Sequence, residues 1–387
     1  MTTLLAHGMD AGNPLHFLAS LGLLRLADRL DPGARLGFVA KDLAWRPRVE
    51  AGMERTHLLE EMAHWILTLG RRGAVDPALA ASVRGASVRV KKKAEGLKNA
   101  ARTEKERARK MGLSKAAALD HVARSTAALR AEYENLKREL SQAQEAAALA
   151  NGLGIAHFGD IIGVDAEIFR RFGEAALGGF HAARRPEAPE TADPPLLVAL
   201  LPALACDQVL QGDCVQPTPF SFANGASEQK LLKSFLACAA LVTAERLDAT
   251  VQGHDSRLVE GKGLTLNWDP EDLRSYALAW SNPESVTKKV DVAANALAYL
   301  GLSLLPAMPT PRGLGAVGWN DKRGWTWPIW QAALPVDVVM SLLAASALQE
   351  EIPDRRRLAR RGVVEVRRSE ILNPTGKRNF FAPSQAI

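Results

Sequence analysis

From Ser87 to Ala150 the chain contains no proline and few large apolar residues, and it is rich in Ala, Lys, Arg and Glu. Such a composition builds long helix with most of its surface in water. Gly112 followed by Ser114 reads as a helix stop and then a cap, so the stretch predicts a helical hairpin with its tip near Leu113. On the second arm Val122, Leu129, Tyr133, Leu136 and Leu140 fall on a narrow a/d seam. At ~1.5 Å per residue an arm reaches roughly 50 Å, long enough to project from the rest of the protein.

Charge singles out the same stretch. The protein has a formal net charge of +6, but Arg89 to Lys115 holds eleven Lys/Arg against three Glu, and Asp354 to Ile387 holds nine basic residues against three acidic. The remaining chain is therefore acidic, and the whole basic excess sits in two segments, as a polyanion-binding surface requires. The first arm carries Arg89, Lys91, Lys92, Lys93, Lys98, Arg102, Lys105, Arg107, Arg109 and Lys110 with few acids of its own to neutralise them. Cations strung along a helix without interleaved aromatics predict contact with phosphate rather than bases. The competing reading is a solvated face charged for solubility.

A chain of 387 residues has room for about two domains. Asn13 and Pro14 predict the cap and first residue of an apolar helix running to Leu30. Arg35 to Val39 and Asp42 to Arg46 read as short strands joined at Ala40-Lys41, and Glu54 to Leu69 as a helix. Further on, Leu264 to Trp268 alternates as a strand before Asp269 and Pro270 open a helix. Val292 to Leu304 is apolar on nearly every face and predicts a buried helix, and Trp325 to Trp330 a buried aromatic strand. These elements predict an α+β, predominantly helical protein: a globular body with a small mixed or antiparallel sheet, formed by residues 1–86 and 151–387, and a helical hairpin, 87–150, inserted into it. Three cysteines without a CxxC spacing predict neither zinc nor a disulfide framework, and no apolar run is long enough to span a membrane, so the expectation is a cytoplasmic protein without a cofactor.

The segments "LNWDPEDLRSYALAWSNPES", "AANALAYLGLSLLPAMP", "GWTWPIWQAALPVDVVMSLLA" and "VVEVRRSEILNPTGKRNFFAPSQAI", together with the amino-terminal "HGMDAGNPLHFLASLGLLRLADRL", resemble the large-subunit proteins of type I-G CRISPR-Cas effector complexes. They cover about half the chain and consist of fold-building residues rather than a catalytic signature. The resemblance implies a non-catalytic subunit of a Cascade-like ribonucleoprotein. It would lie near the 5′ end of a CRISPR guide RNA and near the protospacer-adjacent motif of target double-stranded DNA, beside other effector-complex subunits, and would help recruit a helicase-nuclease. The inserted hairpin does not match that family residue by residue, so its expected role rests on charge alone.

Two further stretches carry nucleic-acid expectations from their own residues. Asn224 to Ser227 turns from the apparent strand Phe220–Phe222 into a helix bearing Lys230 and Lys233, and its backbone amides predict an anion site; an ordinary capped turn is the alternative. In the tail, Arg367, Arg368, Lys377, Arg378 and Asn379 next to Phe380 predict a phosphate clamp with a stacking ring, against the alternative that Phe380 and Phe381 dock on the core. Rival function classes are a metal-dependent nuclease using Asp255, Glu260 and Lys262, and a basic protein-interaction module. His57 and His64, one heptad apart on a helix, lack the i, i+4 spacing usual for a metal pair.

Overall fold

Capping chemistry starts the first helix where the sequence predicts it: in a computed structural model Asn13 Oδ1 accepts the Leu15 amide at 2.9 Å, and Pro14 takes the first helical position. The structure describes residues 2–72, 77–150, 166–167, 169–170, 173–174, 177, 200–222, 231–261, 264–272, 289–320, 324–373 and 379–387. The main elements, in chain order, are β1 (Thr2–Leu5), α1 (Pro14–Leu30), β2 (Arg35–Lys41), β3 (Ala44–Ala51), α2 (Arg55–Arg72), α3 (Pro77–Lys110), α4 (Lys115–Ser125), α5 (Ala127–Ala150), α6 (Val292–Gly301), β4 (Trp319–Asn320), β5 (Gly324–Trp330), β6 (Leu334–Pro335), β7 (Val363–Ser369) and β8 (Gln385–Ala386). The chain forms two compact units, one from residues 1–73 and 158–387, the other from 74–157. The fold is α+β and mostly helical, with small antiparallel sheets.

In the larger unit one sheet has the order β1-β3-β2-β6 and another β4-β5-β7-β8, every neighbour antiparallel. The first of these sheets joins the two ends of the chain, since β6 pairs Leu334 with Leu36 of β2, whereas the second is built from residues 319–386 alone, with β8 pairing Gln385 with Arg368 of β7. Their shared core is aromatic. Phe17 of α1 sits with its ring centroid 5.7 Å from both Trp325 and Trp327, 5.8 Å from Phe38 and 6.2 Å from Trp330. All of β5 is buried, so each indole must find an acceptor inside. Trp325 Nε1 donates to Val317 O at 3.1 Å, Trp327 Nε1 to Ala11 O at 2.9 Å, and Trp330 Nε1 to Leu36 O at 2.8 Å.

Helix α6 is buried along its whole length, as its all-round apolar sequence predicts. It crosses α1 through a pair of glycines. A methyl on Gly22 would collide with the Leu297 carbonyl, and one on Gly301 would lie 3.0 Å from Gly22 N and 3.1 Å from Leu21 Cβ. Asp291 caps α6: its Oδ1 accepts the Ala294 amide at 2.9 Å and Thr250 Oγ1 at 2.7 Å, while Arg257 Nε lies 3.4 Å from Oδ2. Burial raises the pKa of this carboxyl, against the lowering effect of those partners.

Three local expectations are corrected. Leu264 to Trp268 is not a strand, although Leu264, Leu266 and Trp268 are buried. Its polar backbone is satisfied by side chains instead: Leu266 N donates to Asn295 Oδ1 at 3.1 Å and Asn267 N to Thr265 Oγ1 at 2.9 Å, with Asn267 at φ 61°. Phe220 and Phe222 are likewise buried without strand geometry, because Ser221 N bonds Thr218 O at 2.9 Å and closes a turn. The third correction is the β2–β3 turn, which lies at Asp42-Leu43 rather than Ala40-Lys41. Of the helix expected after Pro270, a 3-10 turn over Pro270–Asp272 is present, with Glu271 N bonded to Asp269 Oδ1 at 3.0 Å. Its remainder, like the proline-rich stretch 186–195, lies outside the described residues.

Asp42 and Leu43 both have positive φ, 52° and 59°, as a two-residue hairpin turn of this hand requires. Leucine is a poor occupant, since its Cβ crowds the following carbonyl at a cost of roughly 1–2 kcal/mol, and here the side chain is wholly in water. Leu43→Gly is therefore expected to stabilise the larger unit by about 1 kcal/mol, read as a higher denaturant midpoint. No gain would mean that the turn re-forms with a different pair of residues.

Candidate nucleic-acid interface

Helix α3 is 34 residues long, about 51 Å at ~1.5 Å per residue, and begins at Pro77, ten residues before the expected start of the hairpin. Gly112, at φ 68°, ends its last turn, and Ser114 Oγ accepts the Ala117 amide at 3.3 Å to start α4. The second arm is not one helix. Thr126, fully buried, separates α4 from α5, and its Oγ1 donates back to Val122 O at 2.8 Å, a bond that loosens the regular ladder. Leu129, Tyr133, Leu136 and Leu140 are half-buried among exposed neighbours, so the seam packs as its spacing predicts.

The arms run antiparallel, and acids on the second arm reach cations on the first. Arg89 pairs with Glu139 at 3.4 Å and Lys93 pairs with Glu132, while His121 Nε2 lies 3.0 Å from Glu104. Arg107 bonds Glu104 at 2.8 Å, and Arg102 reaches Glu106 at 3.4 Å with both side chains largely exposed. Neutralisation from across the hairpin was missed in the sequence because it depends on the register between two arms, which residue spacing within one arm does not reveal. Lys91, Lys92, Lys98, Lys105, Arg109 and Lys110 are exposed, and none belongs to an ion pair among the described residues. Arg84, also exposed and in no ion pair among the described residues, joins them one heptad before Lys91. Seven-residue spacing was the available signal for it.

The tail is differently disposed. Arg367 is paired with Glu365 on β7, and Arg368 donates through Nε to Thr326 Oγ1 at 3.1 Å and through a terminal nitrogen to Glu351 O at 3.2 Å. These contacts tie both arginines to the fold. Phe380 is 9% exposed and Phe381 fully buried, the latter 4.7 Å from Phe222 and 5.7 Å from Trp325 between ring centroids. Phe380 thus has no free face on which a base stacks; the tail aromatics belong to the core, as the competing reading had it. Asn379 N is bonded to Phe222 O at 3.0 Å. Asn224, Ser227, Lys230, Lys377 and Arg378, and the side chain of Lys233, lie outside the described residues.

The nuclease pattern finds little geometry. Asp255 lies in a 3-10 turn, fully exposed, with Arg257 3.9 Å away; Glu260 ends a three-residue strand and is exposed; Lys262 lies outside the described residues. Among the described residues no three His, Cys, Asp or Glu side chains are grouped to hold a metal ion, His57 and His64 included, and no helix is long and apolar enough to cross a membrane. Comparisons with protein-family models, curated proteins and solved structures found no match to this chain.

Proposed function

We propose that this chain is a non-catalytic large subunit of a CRISPR RNA-guided, Cascade-like DNA-targeting complex, binding guide RNA near its 5′ end and target DNA near the protospacer-adjacent motif. The resemblance of the segments at both ends of the chain supplies the family. The observation that carries nucleic-acid binding is the set of exposed α3 cations with no carboxylate partner among the described residues. Such charges, fixed on a rigid helix, attract a polyanion at little conformational cost and release its counterions. In this reading base pairing by the guide supplies long sequence recognition, and the protein holds backbone and a short motif. Other effector-complex subunits and a helicase-nuclease are its protein partners.

The test is purification of the tagged chain from its native cell, followed by sequencing of bound nucleic acid and identification of co-purifying proteins. A single class of small RNA with a common 5′ end, recovered with a constant set of neighbouring proteins, is the expected result. A preparation free of RNA under low-salt conditions would remove the ribonucleoprotein reading.

A further inference from the structure

The free cations of α3 are ordered. Arg84, Lys91, Lys98 and Lys105 recur at seven-residue intervals, and since an α-helix drifts only ~20° per heptad, the four remain within about 60° of one azimuth. Arg102 and Arg109, four residues after Lys98 and Lys105, return to the same row. Lys92 and Lys110 flank it, and two carboxylates, Glu95 and Glu106, border it. Arg89, Lys93 and Arg107, the cations neutralised most closely by Glu139, Glu132 and Glu104, fall on the opposite side of the helix. In the row itself Arg102 reaches Glu106 across an exposed pair, which solvent screens, and the other five cations have no ion pair among the described residues, so acids neutralise one edge of α3 and leave the other with a positive excess.

The row has a length and a chemistry. From Arg84 to Lys105 it spans about 32 Å at ~1.5 Å per residue, close to the roughly 34–36 Å of one turn of duplex DNA. Helix α3 contains no Phe, Tyr, Trp or His, so it offers nothing on which an unpaired base stacks. Single-strand binding ordinarily draws about 1–3 kcal/mol per base from such stacking. What remains is charge, and a duplex presents one negative charge per ~1.7 Å of its axis, twice the density of one strand. A straight helix laid along a duplex meets phosphates at both ends of the turn, whereas a flexible strand gains nothing from the rigid spacing.

We propose that the Arg84, Lys91, Lys98, Lys105 row, completed by Arg102 and Arg109, is a rail for the phosphates of double-stranded nucleic acid, bound without regard to base sequence. This deepens the nucleic-acid reading above and rests on it. It places a backbone contact on the inserted hairpin, the part of the chain that the family resemblance does not match residue by residue.

The experiment measures binding of the full-length protein to a 30-base-pair DNA duplex and to either of its single strands across a salt series, by fluorescence anisotropy. A Lys91→Gln, Lys98→Gln, Lys105→Gln variant is compared with an Arg89→Gln, Lys93→Gln variant of the neutralised edge, both checked for helicity by circular dichroism. The row variant is expected to bind duplex about 100-fold more weakly near 0.1 M salt, with a salt slope shallower by about 2.7, from roughly 0.9 per lost phosphate contact. The other edge variant is expected to stay within about threefold of wild type, since its charges are already neutralised. An equal loss in both variants, or an unchanged duplex affinity in the row variant, overturns the rail while leaving nucleic-acid binding elsewhere intact. Single strands bound as tightly as duplex overturn the choice of duplex alone. A wild-type protein that binds neither removes the underlying reading as well.

Discussion

Gly22→Ala is expected to destabilise the larger unit by about 3 kcal/mol, the upper end of what overpacking a core costs. The added methyl of this substitution meets the Leu297 main-chain oxygen of α6, and the neighbouring contact atoms are also backbone, which has no rotamer to give. Relief requires that α1 and α6 separate, and both helices are buried along most of their length. For a unit of this size the thermal midpoint should fall by roughly 5 °C. Gly96→Ala supplies the contrast: nothing lies within 4 Å of the new methyl on the exposed side of α3, so the exchange should gain about 1 kcal/mol of helix propensity. Equal small effects at both sites, in chemical denaturation followed by circular dichroism, would mean that the two helices do not cross at their glycines.

How much of this was legible beforehand depended on the range of the interactions. Local chemistry was readable: Asn13 and Ser114 cap the helices their positions predict, and Gly112 ends α3 at positive φ. Burial was readable too, as in α6 and β5, because an element apolar on all faces has nowhere else to go. Hydrogen-bonding partners were not. Leu264 to Trp268 alternates like a strand, yet its amides are met by Asn295 and Thr265, and alternation reports only which side chains face inward. The candidate site shows the same division. Clustering of cations on α3 is a property of composition, whereas the separation into a neutralised edge and a free edge arises from Glu132 and Glu139 on another helix. For Phe380 the sequence favoured a stacking ring over a core residue, and burial decided for the core.

The second large effect is expected at Trp327, where the two ends of the chain are tied by one side chain. Its ring is fully buried, stacked on Trp325 with centroids 4.7 Å apart and 5.7 Å from Phe17, and its Nε1 donates to the Ala11 carbonyl two residues before the cap of α1. Trp327→Ala removes the ring and leaves a cavity among residues of β5 and α1, and should cost about 3–5 kcal/mol. Trp327→Phe separates packing from hydrogen bonding, because it keeps an aromatic ring but leaves Ala11 O without its donor. That orphaned carbonyl should account for roughly 1–3 kcal/mol. Urea denaturation of both variants measures the two contributions. The amide-exchange rates of Asn13, Leu15 and Phe17 report separately on whether the amino-terminal turn loosens first. If exchange there stays as slow in Trp327→Phe as in the wild type, the indole bond does not hold that turn, and the Asn13 cap together with the Asn13 Nδ2 bond to Asp269 at 3.0 Å suffices.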